Sequence, residues 1–356
     1  MEIKTIGIVG SGTMGSGIAQ LAAQCGLEVR LCDVSDKLLT EAEARILRGL
    51  EKMEVPAAFS LIRKTTQVSS LKGCDFVVEA VSEDIVVKQG VFRQLDALLP
   101  PPLVLATNTS SLPIRKVAFS TENPKRIIGM HFFNPAPLMK LVEVIPHAET
   151  SADTIETVLS LARALGKTPV QCKDSPGFIA NRLARPFYLR SMLLVSQGKA
   201  TVTRVDQAIR EGGFRMGPFE LMDLIGLDVN LAITRVLFQG LGERFKPVPL
   251  QEKLVEMGHL GHKTSRGFYL YAGGRSNGEN PMLSELIADK SSPADMATLL
   301  RQVLQDIYEE ANRMVQEGVA PANDIDTAMK LGMNWPLGPF EWQKQNFRPV
   351  VKTKTP

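Results

Sequence analysis

The glycine pattern Gly10-x-Gly12-x-x-Gly15 is the feature that most constrains the fold of this chain. The apolar run Thr5–Gly10 leads directly into it, and a helical stretch follows it. In that setting Gly10 permits a tight turn, Gly12 lets the backbone approach a pyrophosphate, and Gly15 allows a helix to pack closely on a strand. The pattern therefore predicts a strand–turn–helix unit that binds a dinucleotide.

A carboxylate ends the second predicted strand, Leu27–Asp33. Asp33 lies 18 residues beyond Gly15, where it can accept hydrogen bonds from the adenosine ribose. A carboxylate there also repels a 2′-phosphate, so we expect NAD rather than NADP as the cofactor. A domain of the same fold that binds FAD, or no ligand, is the alternative.

Short β-rich runs alternate with helical stretches in the first part of the chain, which predicts a parallel sheet covered on both faces. From Ser175–Gly177 onward the pattern changes to long helices. We therefore predict a Rossmann-type α/β N-terminal domain, residues 1–175, followed by all-α C-terminal domains. The predicted strands are Thr5–Gly10, Leu27–Asp33, Cys74–Val81, Leu103–Asn108, Arg126–Phe133, LVEVI and TPVQCKD.

The rear half contains a repeat with an offset of about 120 residues, in which Val195–Leu221 resembles Val315–Trp342. Such ordered self-similarity indicates a duplicated module. We predict a helical substrate and dimerisation domain at 176–275 and a partial second copy at 282–356, with Ala272–Pro281 as a linker. Because the second copy is cut short, it could expose apolar surface, and a homodimer through the helical domains is possible.

Composition excludes several classes of protein. A net charge of +3 without a dense Lys/Arg block argues against nucleic-acid binding. No apolar run is long enough to cross a bilayer, and no signal peptide is recognisable. The four cysteines lack a CxxC pair, which indicates that they are reduced thiols. We expect an intracellular, cytoplasmic protein.

One histidine and one glutamate interrupt two neighbouring apolar runs. His131 lies in GMHFF and Glu143 lies in LVEVI. A carboxylate in an apolar run is costly without a partner, and His131 is a natural one. If the two segments are neighbours in the sheet, the pair can act as a general base beside a nicotinamide, as alcohol oxidation requires. A hydrogen-bonded core histidine is the alternative.

Six motifs resemble those of L-3-hydroxyacyl-CoA dehydrogenases, in the same order and over roughly Lys4 to Tyr271. They are the glycine fingerprint, TNTSSLPI, GMHFFNPAPLMKLVEVI, KDSPGFIANRL, MGPFELMDLIGLD and GHKTSRGFYLY. The resemblance implies NAD-dependent oxidation of (S)-3-hydroxyacyl-CoA to 3-oxoacyl-CoA, with an acyl-CoA as the small-molecule substrate. The rivals are a sugar-acid or hydroxy-acid dehydrogenase of the crystallin-like branch, and a catalytically idle NAD-binding structural protein.

The resemblance also assigns roles to individual residues. It implies His131 as the base, Glu143 as its partner, substrate contacts at Ser110, Asn134 and Asn181, and cofactor contacts at Gly10, Gly12, Gly15, Asp33, Glu83, Lys88, Ser110 and Lys263, with no metal. Asn181 is expected on the first helix of the rear domain, which would put the active site between domains. Ser110 could instead only cap its loop, Asn181 could bond only to backbone, and Lys263 could be a solvated charge.

The chain departs from the family pattern in two places. The segment Asp36–Ser70 is short, which leaves little room for the helical arm that touches the CoA nucleotide. Aligned at the repeat offset, Arg301 stands opposite Asn181, so the second copy lacks the amide and is predicted to be scaffold.

Overall fold

A computed structural model describes residues 2–287 and 294–349 of the chain. The last residues of the predicted second module, 350–356, lie outside the described residues. The chain divides into two compact units between Phe178 and Ile179, three residues beyond the predicted end of the first domain.

The first unit is an eight-stranded sheet with helices between its strands. Its strands are β1 Thr5–Val9, β2 Glu28–Cys32, β3 Ile62–Thr65, β4 Phe76–Glu79, β5 Val104–Thr107, β6 Ile127–Phe132, β7 Leu141–Ile145 and β8 Thr168–Gln171. Its helices are α1 Thr13–Gln24, α2 Asp36–Lys52, α3 Ile85–Leu98, α4 Ile114–Ala118 and α5 Ala152–Ala164. The strand order is β3-β2-β1-β4-β5-β6-β7-β8, so the predicted Rossmann-type fold is confirmed.

All seven predicted strands are present. Every neighbouring pair in the sheet is parallel except β6 and β7, which run antiparallel. The sequence prediction missed β3, an edge strand that carries exposed Arg63 and Lys64. Edge strands tolerate such charges because one of their sides has no neighbouring strand, so the apolar signal of this strand is weak.

The sheet separates two apolar layers. Successive residues of β4 and β5 alternate between them: Val78 and Ala106 belong to one cluster, and Val77 and Leu105 to the other. Because side chains of a strand point alternately to opposite faces, both faces of the sheet are covered, as the apolar runs predicted.

The second unit is mainly helical. Its helices are α6 Ala180–Ser196, α7 Val202–Glu211, α8 Pro218–Ile225, α9 Leu227–Leu241, α10 Pro249–Glu256, α11 Leu283–Leu286, α12 Met296–Gln316, α13 Ala322–Met333 and α14 Pro339–Lys344. None of the helices in the described ranges is long and apolar enough to cross a bilayer.

The linker predicted at Ala272–Pro281 is wrong, because these residues contribute to a β-hairpin. The strand β9, Tyr269–Ala272, pairs antiparallel with β10, Arg275–Glu279. Gly273 and Gly274 have φ of +55° and +75° and form the turn. Glycine adopts such angles without strain, so the composition that suggested a linker also suits a tight turn.

Two aspartates a repeat length apart make the same contact. A carboxylate oxygen of Asp206 accepts a hydrogen bond from the Phe219 backbone N–H at 2.9 Å, and Asp326 accepts one from Phe340 at 2.9 Å. Burial raises the pKa of both carboxyl groups, that of Asp206 to about 7. The recurring contact supports the predicted duplication, which stays a prediction.

Buried charges join the first helix of the second unit to α12. Arg182 of α6 is fully buried, and its guanidinium lies 2.6 Å from Glu310 of α12. Arg244 and Arg313 approach the other oxygen of Glu310 at 3.0 and 3.3 Å. Because an unpaired buried charge is costly, this network makes the packing of α6 depend on residues of the predicted second copy.

Candidate active site

The glycine loop between β1 and α1 is built around close backbone contacts. Gly10 has a φ of +97°, and a Cβ at this position would lie 2.6 Å from the carbonyl oxygen of Ala80. A Cβ on Gly15 would lie 1.8 Å from the carbonyl oxygen of Gly10. Both positions therefore require glycine. This agrees with the tight turn predicted at Gly10 and the close helix–strand packing predicted at Gly15.

Gly12 differs from the other two glycines. It is the N-cap of α1, without a side-chain cap, and a Cβ there would meet no described atom within 4 Å. The space beside the first turn of α1 is thus open toward the free N–H groups and the positive end of the helix dipole. This geometry fits the pyrophosphate of a dinucleotide.

Asp33 follows β2 and faces the same loop. One carboxylate oxygen accepts a hydrogen bond from the Ser11 N–H at 2.5 Å, and the other accepts one from the Val34 N–H at 2.6 Å. Asp33 is only partly buried. A carboxylate accepts up to about four hydrogen bonds, so acceptor capacity remains for ribose hydroxyls.

Replacing Gly12 by valine is expected to weaken NADH binding at least about tenfold, with only a small fall in the melting temperature because valine is a poorer N-cap than glycine. The new side chain enters open space and occupies the approach to the α1 N-terminus. NADH fluorescence titration and thermal unfolding measure the two effects. The matched control is Gly90→Val, since a Cβ on Gly90 also meets no described atom within 4 Å. Equal NADH affinity in wild type and the Gly12 variant would contradict the assignment.

The predicted histidine–glutamate pair occurs at the junction of β6 and β7. His131 and Glu143 are direct register partners in this antiparallel pair. Nδ1 of His131 lies 2.7 Å from a carboxylate oxygen of Glu143, and both side chains are buried. An ionised carboxylate only accepts hydrogen bonds, so Nδ1 carries the proton and donates it, and Nε2 is left as the basic nitrogen.

The loop after β5 wraps around Glu83. One carboxylate oxygen of Glu83 accepts hydrogen bonds from the Thr109 hydroxyl at 2.7 Å, the Ser110 N–H at 2.8 Å, the Ser110 hydroxyl at 3.0 Å and the Ser111 N–H at 3.1 Å. Burial raises the pKa of Glu83, but the charge of Lys88 and these hydrogen bonds outweigh it, so the net pKa is lowered. Glu83 therefore stays ionised and orders the loop that carries Ser110.

Lys88 is deeply buried behind that loop. Its ammonium lies 2.7 Å from a carboxylate oxygen of Glu79 and 3.5 Å from one of Glu83. The predicted cofactor contact of Lys88 stays a prediction, but this position favours an indirect role through Glu83. Sequence reasoning missed Glu79. Its signal was available, since Glu79 closes the apolar run FVVE as Glu143 interrupts LVEVI.

Asn134 lines a cavity of about 230 Å³ between α1, α2 and the loop after β6. Arg45 and Lys52 of α2 also line it, beside the apolar side chains of Met53 and Leu138. The cavity thus combines two cations with an apolar wall. Although the segment after β2 is short, it still forms one side of a concave site.

Lys167 holds the loop that carries Asn134. Its ammonium donates hydrogen bonds to the carbonyl oxygens of Ala136 at 2.6 Å and Met139 at 2.8 Å. Burial, assisted by the charge of Lys140, lowers the pKa of Lys167 to about 8. Nothing in the sequence around this lysine predicted that role, because the contacts span about 30 residues.

Two predicted site residues lie in the second unit. Asn181 is the second residue of α6 and is partly buried, and its carbonyl oxygen accepts a hydrogen bond from the Arg185 guanidinium at 3.2 Å. Lys263 forms an ion pair with Asp228, with its ammonium 2.5 Å from one carboxylate oxygen. The two side chains of this pair are 44% and 39% exposed, so the predicted cofactor contact of Lys263 stays a prediction beside the alternative of a solvated charge.

Two family models match most of this chain. The model described as the NAD binding domain of 3-hydroxyacyl-CoA dehydrogenase matches residues 5–175. The model of the C-terminal domain of 3-hydroxyacyl-CoA dehydrogenase matches residues 177–271 and 299–345.

Individual relatives agree with these matches. The 3-hydroxyadipyl-CoA dehydrogenase of Escherichia coli is 34% identical, over 97% of this chain and 91% of that protein. A probable 3-hydroxybutyryl-CoA dehydrogenase of Bacillus subtilis is 42% identical, over 76% of this chain and 98% of that protein. The crystal structure of 3-hydroxybutyryl-CoA dehydrogenase from Escherichia coli has a TM-score of 0.84 and 32% identity, over 99% of this chain and 97% of that one. This chain belongs to the 3-hydroxyacyl-CoA dehydrogenase family, whose cofactor is NAD.

Proposed function

We propose that this protein catalyses the reversible, NAD-dependent oxidation of (S)-3-hydroxyacyl-CoA to 3-oxoacyl-CoA. The observation that carries the proposal is the 2.7 Å contact between Nδ1 of His131 and Glu143, with both side chains buried. A buried imidazole with one nitrogen held by a carboxylate suits proton abstraction from an alcohol. Family membership supports the same reaction.

In this proposal His131 moves one proton. Nε2 takes the proton of the C3 hydroxyl, and the C3–H bond pair leaves as hydride. NAD, when bound, accepts that hydride at its nicotinamide ring. Glu143 stabilises the imidazolium and fixes the orientation of the ring. In the reductive direction the imidazolium returns the proton to the forming alkoxide.

Three predicted contacts hold the substrate in this proposal. The hydroxyl of Ser110 and the amide of Asn181 bond the C3 oxygen or the thioester carbonyl, and Asn134 contacts the acyl-CoA. The cavity beside Asn134 supports the last assignment, because Arg45 and Lys52 can pair with the phosphates of CoA. Positioning C3 against the nicotinamide accelerates the reaction through proximity and orientation. The cofactor roles of Glu83, Lys88 and Lys263 remain part of the same proposal.

The decisive assay is NADH oxidation with acetoacetyl-CoA, run beside NADPH and beside free acetoacetate. We expect turnover that needs both NADH and the CoA thioester. Turnover of the free acid would favour the crystallin-like alternative. NADH binding without turnover on acetoacetyl-CoA, longer acyl-CoAs or dicarboxylic acyl-CoAs would favour an idle structural protein.

Replacing Glu143 by glutamine is expected to lower kcat by about 10- to 100-fold with little change in KM for acetoacetyl-CoA. The amide keeps a hydrogen-bond acceptor but removes the charge that stabilises the imidazolium. Steady-state kinetics of both directions measure the effect. Retention of wild-type kcat in Glu143→Gln would show that the carboxylate charge plays no part in the reaction.

The remaining proposals concern the setting of the enzyme. A homodimer through the helical domains is tested by analytical ultracentrifugation, and a clean monomer would remove it. A cytoplasmic location is supported by the four cysteines, all of which are free.

A further inference from the structure

We infer that Glu79 is a positioning residue, which through Lys88 and Glu83 holds the loop at 109–111 and hence the Ser110 hydroxyl. This inference rests on the proposed function for its catalytic consequence. Its structural part concerns only contacts within the first unit.

Glu79 is a buried carboxylate at the end of β4. One of its oxygens lies 2.7 Å from the Lys88 ammonium and also accepts the Val81 N–H at 2.7 Å. The other accepts the hydroxyl of Thr107 at 2.6 Å. A fully buried carboxylate persists only when such partners compensate its lost hydration, and these three donors do so for Glu79. Glu79 is therefore fixed by two adjacent strands and the helix α3.

Lys88 links Glu79 to Glu83, the residue that binds the loop at 109–111. Its side chain is 1% exposed, so the ammonium has little access to water. Glu79 holds it at 2.7 Å, and Glu83 approaches it at 3.5 Å. If the Glu79 charge is removed, the shorter ion pair is lost and the buried ammonium is left with Glu83 as its remaining carboxylate. Because an uncompensated buried charge is costly, Lys88 and Glu83 must then move toward each other.

Glu83 cannot move without moving the loop. One of its carboxylate oxygens accepts hydrogen bonds from the backbone N–H groups of both Ser110 and Ser111, and from the side-chain hydroxyls of Thr109, Ser110 and Ser111. A shift of the carboxylate therefore displaces the Ser110 hydroxyl. A small displacement of a substrate-positioning group lowers turnover even though the group itself is intact.

The test compares Glu79→Gln with Asp96→Asn, a matched control. Asp96 lies on α3 like Lys88 and forms another buried ion pair, 2.6 Å from Arg126. Its carboxylate binds Glu122, Asn123 and Arg126, which lie outside the loop at 109–111. Both variants lose a buried charge in the same unit, so both are expected to lower the melting temperature.

Amide hydrogen exchange measures how well the backbone of the loop at 109–111 is held, in the absence of substrate and cofactor. We expect exchange in segment 109–112 to be at least about tenfold faster in Glu79→Gln than in wild type, and unchanged in Asp96→Asn. We expect kcat/KM with acetoacetyl-CoA to fall at least about tenfold in the first variant and to stay within about twofold in the second. Unchanged exchange and turnover in Glu79→Gln, or equal losses in both variants, would overturn the inference.

The double variant Glu79→Gln/Lys88→Met separates positioning from charge neutralisation, and it covers the case in which Glu79→Gln does not fold. Removing both charges relieves the buried imbalance, so the melting temperature should recover. Turnover at saturating NADH should stay low, because Glu83 has lost the ammonium that holds it. Recovery of both the melting temperature and the turnover would show that Glu79 only neutralises Lys88.

If wild type fails to turn over acetoacetyl-CoA, the proposed function fails, while the exchange comparison still decides the role of Glu79.

Discussion

Replacing His131 by glutamine is expected to lower kcat for acetoacetyl-CoA reduction by about 10²- to 10⁴-fold, the usual contribution of a positioned acid–base group. Glutamine fills similar space and can bond to Glu143, but it cannot hold or release a proton near neutral pH. His131 is 6% exposed and packs against Phe133, whose ring centroid lies 4.6 Å from that of the imidazole. The substitution therefore removes the acid–base group with little change in packing.

NADH binding separates this explanation from unfolding. The fluorescence titration should give the same dissociation constant for wild type and His131→Gln, because the glycine loop lies on other elements of the sheet. His147→Gln is the matched control: His147 is also a buried histidine, and its Nε2 lies 2.9 Å from the Pro124 carbonyl oxygen. It should keep wild-type kcat. Equal losses in the two variants would remove His131 as the base.

Replacing Glu310 by glutamine is expected to lower the free energy of unfolding by about 3–5 kcal/mol, the usual cost of breaking a buried ion pair by removing one partner. The Arg182 guanidinium is fully buried and would lose its closest carboxylate, which leaves it with the more exposed carboxylate of Glu317 at 2.8 Å. Arg244 and Arg313 would lose the same partner. Urea denaturation monitored by tryptophan fluorescence measures the change, and both tryptophans, Trp335 and Trp342, lie in the second unit.

An exposed ion pair provides the comparison for Glu310. Glu252 lies 2.9 Å from Arg235, and 55% of the arginine side chain is exposed. Glu252→Gln should change the free energy of unfolding by less than about 1 kcal/mol, as is usual for surface pairs. If Glu310→Gln were equally mild, α12 would not stabilise α6 through charge, and the scaffold role predicted for the second copy would lose its main support.

Local features of the site could be predicted from the sequence with few errors. Gly10, Gly12 and Gly15 each act through the backbone within one turn, so their spacing specifies their role. The pairing of His131 with Glu143 could also be inferred. Each charged or polar side chain interrupts an apolar strand, and burial forces such groups to find each other.

Contacts between distant elements could not be predicted in the same way. The sequence shows Glu79, Lys88 and Glu83 within ten residues of each other, yet the loop they hold begins 26 residues after Glu83. Lys167 likewise reaches back across about 30 residues. The hairpin at β9 and β10 was missed for another reason: glycine-rich composition is shared by flexible linkers and tight turns.

The antiparallel register of β6 and β7 restricts how this enzyme can change during evolution. Side chains opposite each other on such strands share a face, and a slip of one residue would turn one of them to the other face. Insertions and deletions in the connection from 133 to 140 can therefore reshape the wall of the Asn134 cavity without disturbing the contact between His131 and Glu143, provided that the strands keep their alignment. A single inserted residue within either strand would separate His131 from Glu143. Diversification of substrate range is thus expected to concentrate in the connection, and length variation in the strands to be selected against.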